Sequence, residues 1–225
     1  MQNHEHRFYS KTKRQRRTIQ VSIGASAVVL NAAVAWMAFA TDLYPLPFLS
    51  IALTFSIVAP FFDVPSLKER GQLIYYSPLF LAEREKEGVI TIHGGTLLDY
   101  IYAVDHSLNG RLRTNQVLLG YVDGLLNLLE SHRDCDRDQL RVRGTSYVIN
   151  ERTANMIGLV RVPTSFVQTI ILLYNYLNIS LCYSIAKARL SFPRFRGIGT
   201  YEGTLSNIAA NKAALIRLKR RLEAG

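Results

Sequence analysis

Residues 18–40 carry no charged side chain, and a second apolar run, residues 46–62, follows after the short polar turn Thr41-Asp42-Leu43-Tyr44-Pro45. This pattern constrains the chain more than anything else in it. A helix over the first run rises about 34 Å, against roughly 30 Å for a bilayer core. The second run, counted from Leu43, reaches about 30 Å by the same arithmetic. Pro60 sits where that helix is expected to stop, just before Asp63. A signal-peptide apolar region is shorter, about 7–15 residues. Ala38-Phe39-Ala40 is therefore read as part of a span, not as a cleavage site. The expectation is a transmembrane hairpin, with spans at about 18–40 and 43–62.

Orientation follows from the basic residues at the span ends. Lys11, Lys13, Arg14, Arg16 and Arg17 precede the first span, and Lys68 and Arg70 follow the second, while the turn holds only Asp42. Both termini are expected in the cytoplasm of an inner, cytoplasmic-type membrane. Gly24, Ala27, Asn31, Ala35 and Ala38 share one helical face, where small residues let a second helix approach and Asn31 can hydrogen-bond across. Ala52, Ser56 and Ala59 form a matching small face on the second helix.

The chain divides on this basis into a basic tail (1–17), the hairpin (18–62) and a cytoplasmic domain (63–225), long enough for its own core. The formal net charge is +10, and it gathers at the ends: +5 in residues 1–17 and +7 in residues 187–225. Both ends therefore suit anionic inner-leaflet lipid. The chain has two cysteines, Cys135 and Cys182, and no C-x-x-C spacing. That excludes a disulfide framework, and no metal or cofactor is expected.

Residues 165–186 also lack charge, but nine basic residues follow them. A third span would place those outside the cytoplasm, against the positive-inside tendency. A long helix buried in the domain or lying against the membrane is expected instead. The Asn178-Ile179-Ser180 sequon then never meets a glycosylation lumen.

The rest of the domain reads as α+β, helix-rich with a small sheet. Residues 73–83 and 89–93 suggest a hairpin about the charged turn 84–88. Thr96 caps a helix to about Ser107, which Asn109-Gly110 ends, and residues 114–132 form a stronger one. Short strands follow at 140–142, 146–149 and 159–162, with a short helix between the last two. Residues 191–203 read as a glycine-rich loop, and residues 204–222 as a final helix.

Candidate chemistry is sparse. His93-Gly94-Gly95 precedes a helix and is similar to part of the oxyanion loop of esterases. No G-x-S-x-G elbow accompanies it, and a tight turn needing glycine explains it too. Asp99 lies about one turn further on, so His93 and Asp99 are the candidate acid–base pair. Asp105 and His106 suit a solvated face. Arg111 and Arg113 before a helix start, with Arg143, form the candidate anion site together with Gly94 and Gly95. The run Gly197-Ile198-Gly199-Thr200-Tyr201-Glu202-Gly203 is not the dinucleotide fingerprint. His132 and Cys135 sit in a charged loop. Residues 144–162 locally resemble the C-terminal half of acetyltransferases, but the pyrophosphate loop of that family is missing, so nothing is carried over.

The expectation is a membrane-anchored interaction or assembly subunit, with the bilayer and another membrane protein or a second copy as partners. The alternative is a membrane-tethered enzyme acting on a lipid-linked or anionic substrate. The basic C-terminal helix suits a lipid surface, and nucleic acid is not an expected partner.

Overall fold

The computed structural model describes residues 6–146, 149–194 and 197–224. It is a mixed α+β fold with a six-stranded sheet. Helix α1 (Lys13–Ala40) opens on a capping box: Thr12 accepts from the Gln15 amide, and the Gln15 side chain accepts from the Thr12 amide. This satisfies two of the donors orphaned at a helix start. A tight turn with Asp42 at φ +56° leads to α2 (Pro45–Val58).

The two helices run antiparallel. Gln20 donates to the Phe61 carbonyl at 2.8 Å, and Ser50 donates to Asn31 Oδ1 at 2.7 Å. Gly24 faces the Phe62 ring. Asn31 also donates to the Ala27 carbonyl, so its amide is satisfied from both helices. The opposite face of α1 is bare: Val28, Val29, Trp36 and Phe39 are all exposed. By length and composition α1 alone can cross a membrane, whereas α2 meets the criterion only together with α3 (Pro60–Glu69), across a 41° bend.

The helix was expected to stop near Pro60; instead it bends and continues to Glu69. Proline lacks an N–H and its ring crowds the carbonyl four residues back, here that of Ser56. That carbonyl finds a donor elsewhere, in Asn178 Nδ2 at 3.0 Å.

The sheet runs β1-β2-β3-β4-β6-β5, from β1 (Leu73–Ser77), β2 (Phe80–Glu83), β3 (Val89–Gly94), β4 (Arg141–Ser146), β5 (Val160–Val162) and β6 (Gly199–Thr204). Only β3 and β4 pair in parallel, and α4 (Leu97–Ala103) and α5 (Gly110–Ser131) fill that crossover. Helix α5 covers one face of the sheet. Its Tyr121 stacks edge-on against Phe80, with centroids 5.8 Å apart, and a Cβ on Gly124 would overlap the same phenyl ring. Helices α9 (Leu205–Ala210) and α10 (Lys212–Glu223) pack against α5, where Lys219 pairs with Asp123 at 2.7 Å. Between β4 and β6 come α6 (Glu151–Met156), then α7 (Phe166–Tyr174) and α8 (Tyr176–Lys187) beyond β5.

Several local expectations give way. Residues 73–83 form two strands, because Pro78 cannot continue a ladder and Ser77 Oγ takes the Leu79 amide. Asn109 starts a helix instead of ending one: its side chain accepts from Arg111 N and Leu112 N, which moves the start of α5 to Gly110. Residues 140–142 and the start of 146–149 belong to one strand, β4; Tyr147 and Val148 lie outside the described residues. The glycine-rich stretch contains β6, paired along its length with β4. The long helix 165–186 breaks at Asn175, where α7 and α8 meet at 63°. The last helix likewise breaks at Asn211.

Part of the basic tail packs on the domain. Phe8 is fully buried, and Arg7 donates to the carbonyls of Ile101, Tyr102 and Val104, which end α4. These bonds satisfy acceptors that a short helix would otherwise leave open. Replacing Phe8 by alanine removes a filled core position and should cost about 3–5 kcal/mol. Denaturant titration of the detergent-solubilised chain measures it. Leu190→Ala, at an exposed site, should stay within about 0.5 kcal/mol. Equal effects would show that Phe8 adds nothing.

Candidate functional site

A groove of about 1090 Å³ lies between the sheet face not covered by α5 and the bent pair α7–α8. Strand alternation builds its floor. Thr91 and His93 of β3, Arg143 and Thr145 of β4 and Thr200 of β6 fall on one face through the pairings Thr91↔Arg143 and Thr145↔Thr200. Leu81 pairs with His93, so Glu83, two residues on, is the diagonal neighbour of the imidazole. The contact forms: His93 Nε2 lies 2.9 Å from Glu83 Oε1, with both side chains about half exposed.

The remaining wall is chemically different. Ser165, Gln168, Ile171, Leu172 and Asn175 of α7 and its ends face the groove, followed by Asn178, Ile179 and Cys182 of α8. Three threonine hydroxyls join the two walls: Thr200 Oγ1 lies 3.0 Å from Thr145 Oγ1 and 2.9 Å from Thr164 Oγ1. Arg84, Glu85 and Lys86 form the rim. Arg143 reaches Glu202 only at 3.8 Å and keeps 44% of its side chain exposed, so its guanidinium retains free donors.

The hydrogen bond from His93 holds the Glu83 carboxyl below the ordinary carboxylate range, against the opposing effect of burial. Tyr121 lines the inner end, and burial raises its hydroxyl well above the usual phenol value, so it stays protonated. A Cβ on Gly94 would overlap that hydroxyl, which is why β3 ends on glycine. Together the groove offers an imidazole–carboxylate pair, a partly free guanidinium and a row of hydroxyls facing an uncharged wall of mixed apolar and amide side chains.

The residues singled out by sequence divide. His93, Gly94, Gly95 and Arg143 line the groove. The Gly95 amide already donates to the Leu79 carbonyl and the Thr96 amide to Asp99, so this turn does not present two free amides to an anion. Arg113 lies elsewhere, donating to the carbonyls of His106, Leu108 and Ile185, and Arg111 is exposed on α5 outside the groove. The two arginines cannot join Arg143, because α5 starts at Asn109 beside the end of α8.

Asp99 is not the partner of His93. It is fully buried, with Oδ2 accepting from the Thr96 amide and hydroxyl, and Oδ1 within 2.9 Å of His6 Nε2 and 2.6 Å of the Tyr75 hydroxyl. Burial, and then the Asp99 charge, raise the Tyr75 hydroxyl far above its usual value. Tyr9 is pushed up to about 12, chiefly by burial. This cluster closes the N-terminal segment onto the domain.

In the hairpin, Gly24, Ala27, Asn31 and Ala35 are all partly covered, on the face of α1 turned toward α2. In the C-terminal helix, Lys219 pairs with Asp123 and Glu223, and Lys212 with Glu130. Among the described residues no group of three or more His, Cys, Asp or Glu is placed to hold a metal ion. Comparison with protein-family models, curated proteins and solved structures finds no match.

Sequence reasoning missed Glu83, Tyr121 and the threonine row. Alternation along 89–93 already put Thr91 and His93 on one face. Pairing that face with Glu83 needed the β2–β3 register, and Thr200 lay in a stretch read as loop.

A carboxyl whose folded pKa is depressed adds stability above its unfolded value, about 4.3 for glutamate, and loses it as pH falls through the folded value. His93→Gln should therefore move the Glu83 titration midpoint upward, read from its side-chain carboxyl NMR shift. An unchanged midpoint would mean the imidazole does not set it.

Proposed function

We propose that the chain is a two-span membrane anchor whose domain, residues 63–225, sits at the cytoplasmic leaflet and binds an anionic, lipid-linked ligand in the groove. One observation carries this: the groove has a charged wall on the sheet and a second wall, where Ile171, Leu172 and Ile179 alternate with uncharged Gln168, Asn175 and Asn178, on helices that hydrogen-bond directly to the hairpin through Ser56 and Ala52. A ligand with a charged head and an acyl tail matches such a pair of walls. Arg143 and Lys86 would take the head, and an N–H bond from a guanidinium to a phosphate is among the stronger hydrogen bonds available. With Nε2 engaged by Glu83, His93 would use Nδ1 as the proton acceptor that hydrolysis or transfer at a bound head needs.

Both spans and the cytoplasmic termini belong to this reading. It is supported by the antiparallel pairing of α1 and α2 and by the basic cleft at their foot. Lys13, Arg16 and Arg17 line it with Ser66 and a single acidic residue, Glu69, around about 310 Å³, in a position suited to anionic headgroups. A second reading, as an assembly subunit, is favoured by the bare outer face of α1, with Trp36 80% exposed. That face suits another membrane protein or a second copy as readily as lipid.

Dodecyl phosphate in non-ionic detergent is a simple probe of the groove. Arg143→Gln should weaken its binding about tenfold by calorimetry, the loss of one charge-assisted bond. Arg111→Gln, off the groove, should leave it unchanged. Equal weakening by both, or none by either, would remove the groove from the proposal. A reporter fused at Gly225 should score as cytoplasmic, and a periplasmic score would overturn the two-span orientation.

A further inference from the structure

Helix α7 has no buried residue, yet it is one of the most apolar segments in the chain. Its outer side carries Phe166 at 79% exposure, Val167 at 65%, Ile170 at 51% and Leu173 at 67%. An aqueous surface has no use for such a patch, and monomeric proteins seldom show one. Its polar groups are settled locally. Thr169 donates to the Ser165 carbonyl and Asn175 to the Ile171 carbonyl, while Gln168 turns into the groove. Hydrocarbon demands the same internal satisfaction. No charged residue lies between Arg161 and Lys187.

The position of α7 names the occupant of its bare face. At the elbow, the Tyr174 hydroxyl donates to the Ala52 carbonyl at 3.4 Å, and Ser56 Oγ donates to the Tyr174 carbonyl at 3.3 Å. Both partners lie in the second half of α2. The C-terminal end of α7, where its exposed side ends, is thus held directly against α2. The loop after α8 returns to the same place: the Tyr176 hydroxyl donates to the Pro193 carbonyl at 2.9 Å, which brings the exposed Phe192 beside the elbow.

We propose that α7 and the elbow at Asn175 are embedded in the cytoplasmic leaflet, with the outer face of α7 among acyl chains, and that the groove opens sideways into lipid. The inference rests on the membrane-anchored reading above and adds a route: a lipid-linked ligand enters from the bilayer past α7, not from the cytoplasm. The groove-facing side of α7, Ser165, Gln168 and Asn175, then meets the ligand where its head emerges from the acyl region.

Trp36 is the only tryptophan of the chain and lies exposed in α1, so it reports on the anchor by itself. The full chain is placed in nanodiscs of phosphatidylglycerol brominated on its acyl chains. Trp36 should be quenched. In a Trp36→Phe background, Leu173→Trp and Val167→Trp should be quenched to a similar degree, and more by bromines near the headgroup than by deep ones. Both positions are exposed, so neither substitution disturbs packing. If Trp36 is quenched while both α7 tryptophans are untouched, the inference is overturned and the anchor stands. A second copy covering α7 would give that same protected result. If Trp36 escapes quenching, the anchor reading fails and this one falls with it.

Discussion

One backbone carbonyl is central to how the α1–α2 helix pair is held on the rest of the protein. Pro60 denies the Ser56 carbonyl its helical partner, and Asn178 supplies the missing donor from α8. An unpaired carbonyl in an apolar setting costs several kcal/mol by typical transfer values. The pairing therefore fixes α8 against α2, and α8 in turn packs on α4 and α5 under the sheet. The bend at Pro60 also redirects α3 across the groove, where Pro60 and Leu67 join the lining. Hairpin, helix pair and groove follow from one satisfied acceptor.

A second tie closes the N-terminal segment. Asp99 is placed by its role as the third residue of the α4 capping box. The same carboxylate then gathers His6 and Tyr75, while Lys68 stands 3.5 Å above the Tyr9 ring. A buried carboxylate is tolerable only when its lone pairs are taken, and here four donors take them. One member of the candidate acid–base pair, Asp99, is thus committed to structure. His93, near the end of the interior strand β3, is half exposed and pairs with an equally exposed Glu83.

Part of the candidate site was legible in the residues. His93 stood out by its place before Gly94 and Gly95, and Arg143 by its charge. The grouping of Arg143 with Arg111 and Arg113 failed because proximity in sequence to a helix start says nothing about which side of the molecule that start occupies. Arg113 is used up in joining the end of α8 to the loop before α5. Glu83 and Thr200 were invisible as site residues because strand register decides their neighbours, and register is a long-range property.

By itself the sequence determined the apolar helix near the N-terminus, the small-residue face that meets α2, the capping at Thr96, and the mixed α+β class. Each depends on spacing or chemistry within a few residues. Tertiary structure alone decided that β6 exists within a glycine-rich stretch, that residues 165–186 break at Asn175, and that Asp99 turns inward while His93 turns out. These outcomes depend on partners far along the chain: β4 for β6, the Ser56 carbonyl for the elbow, and His6 and Tyr75 for Asp99. Local preference is worth fractions of a kcal/mol per residue, and the burial and pairing that these distant partners supply outweigh it.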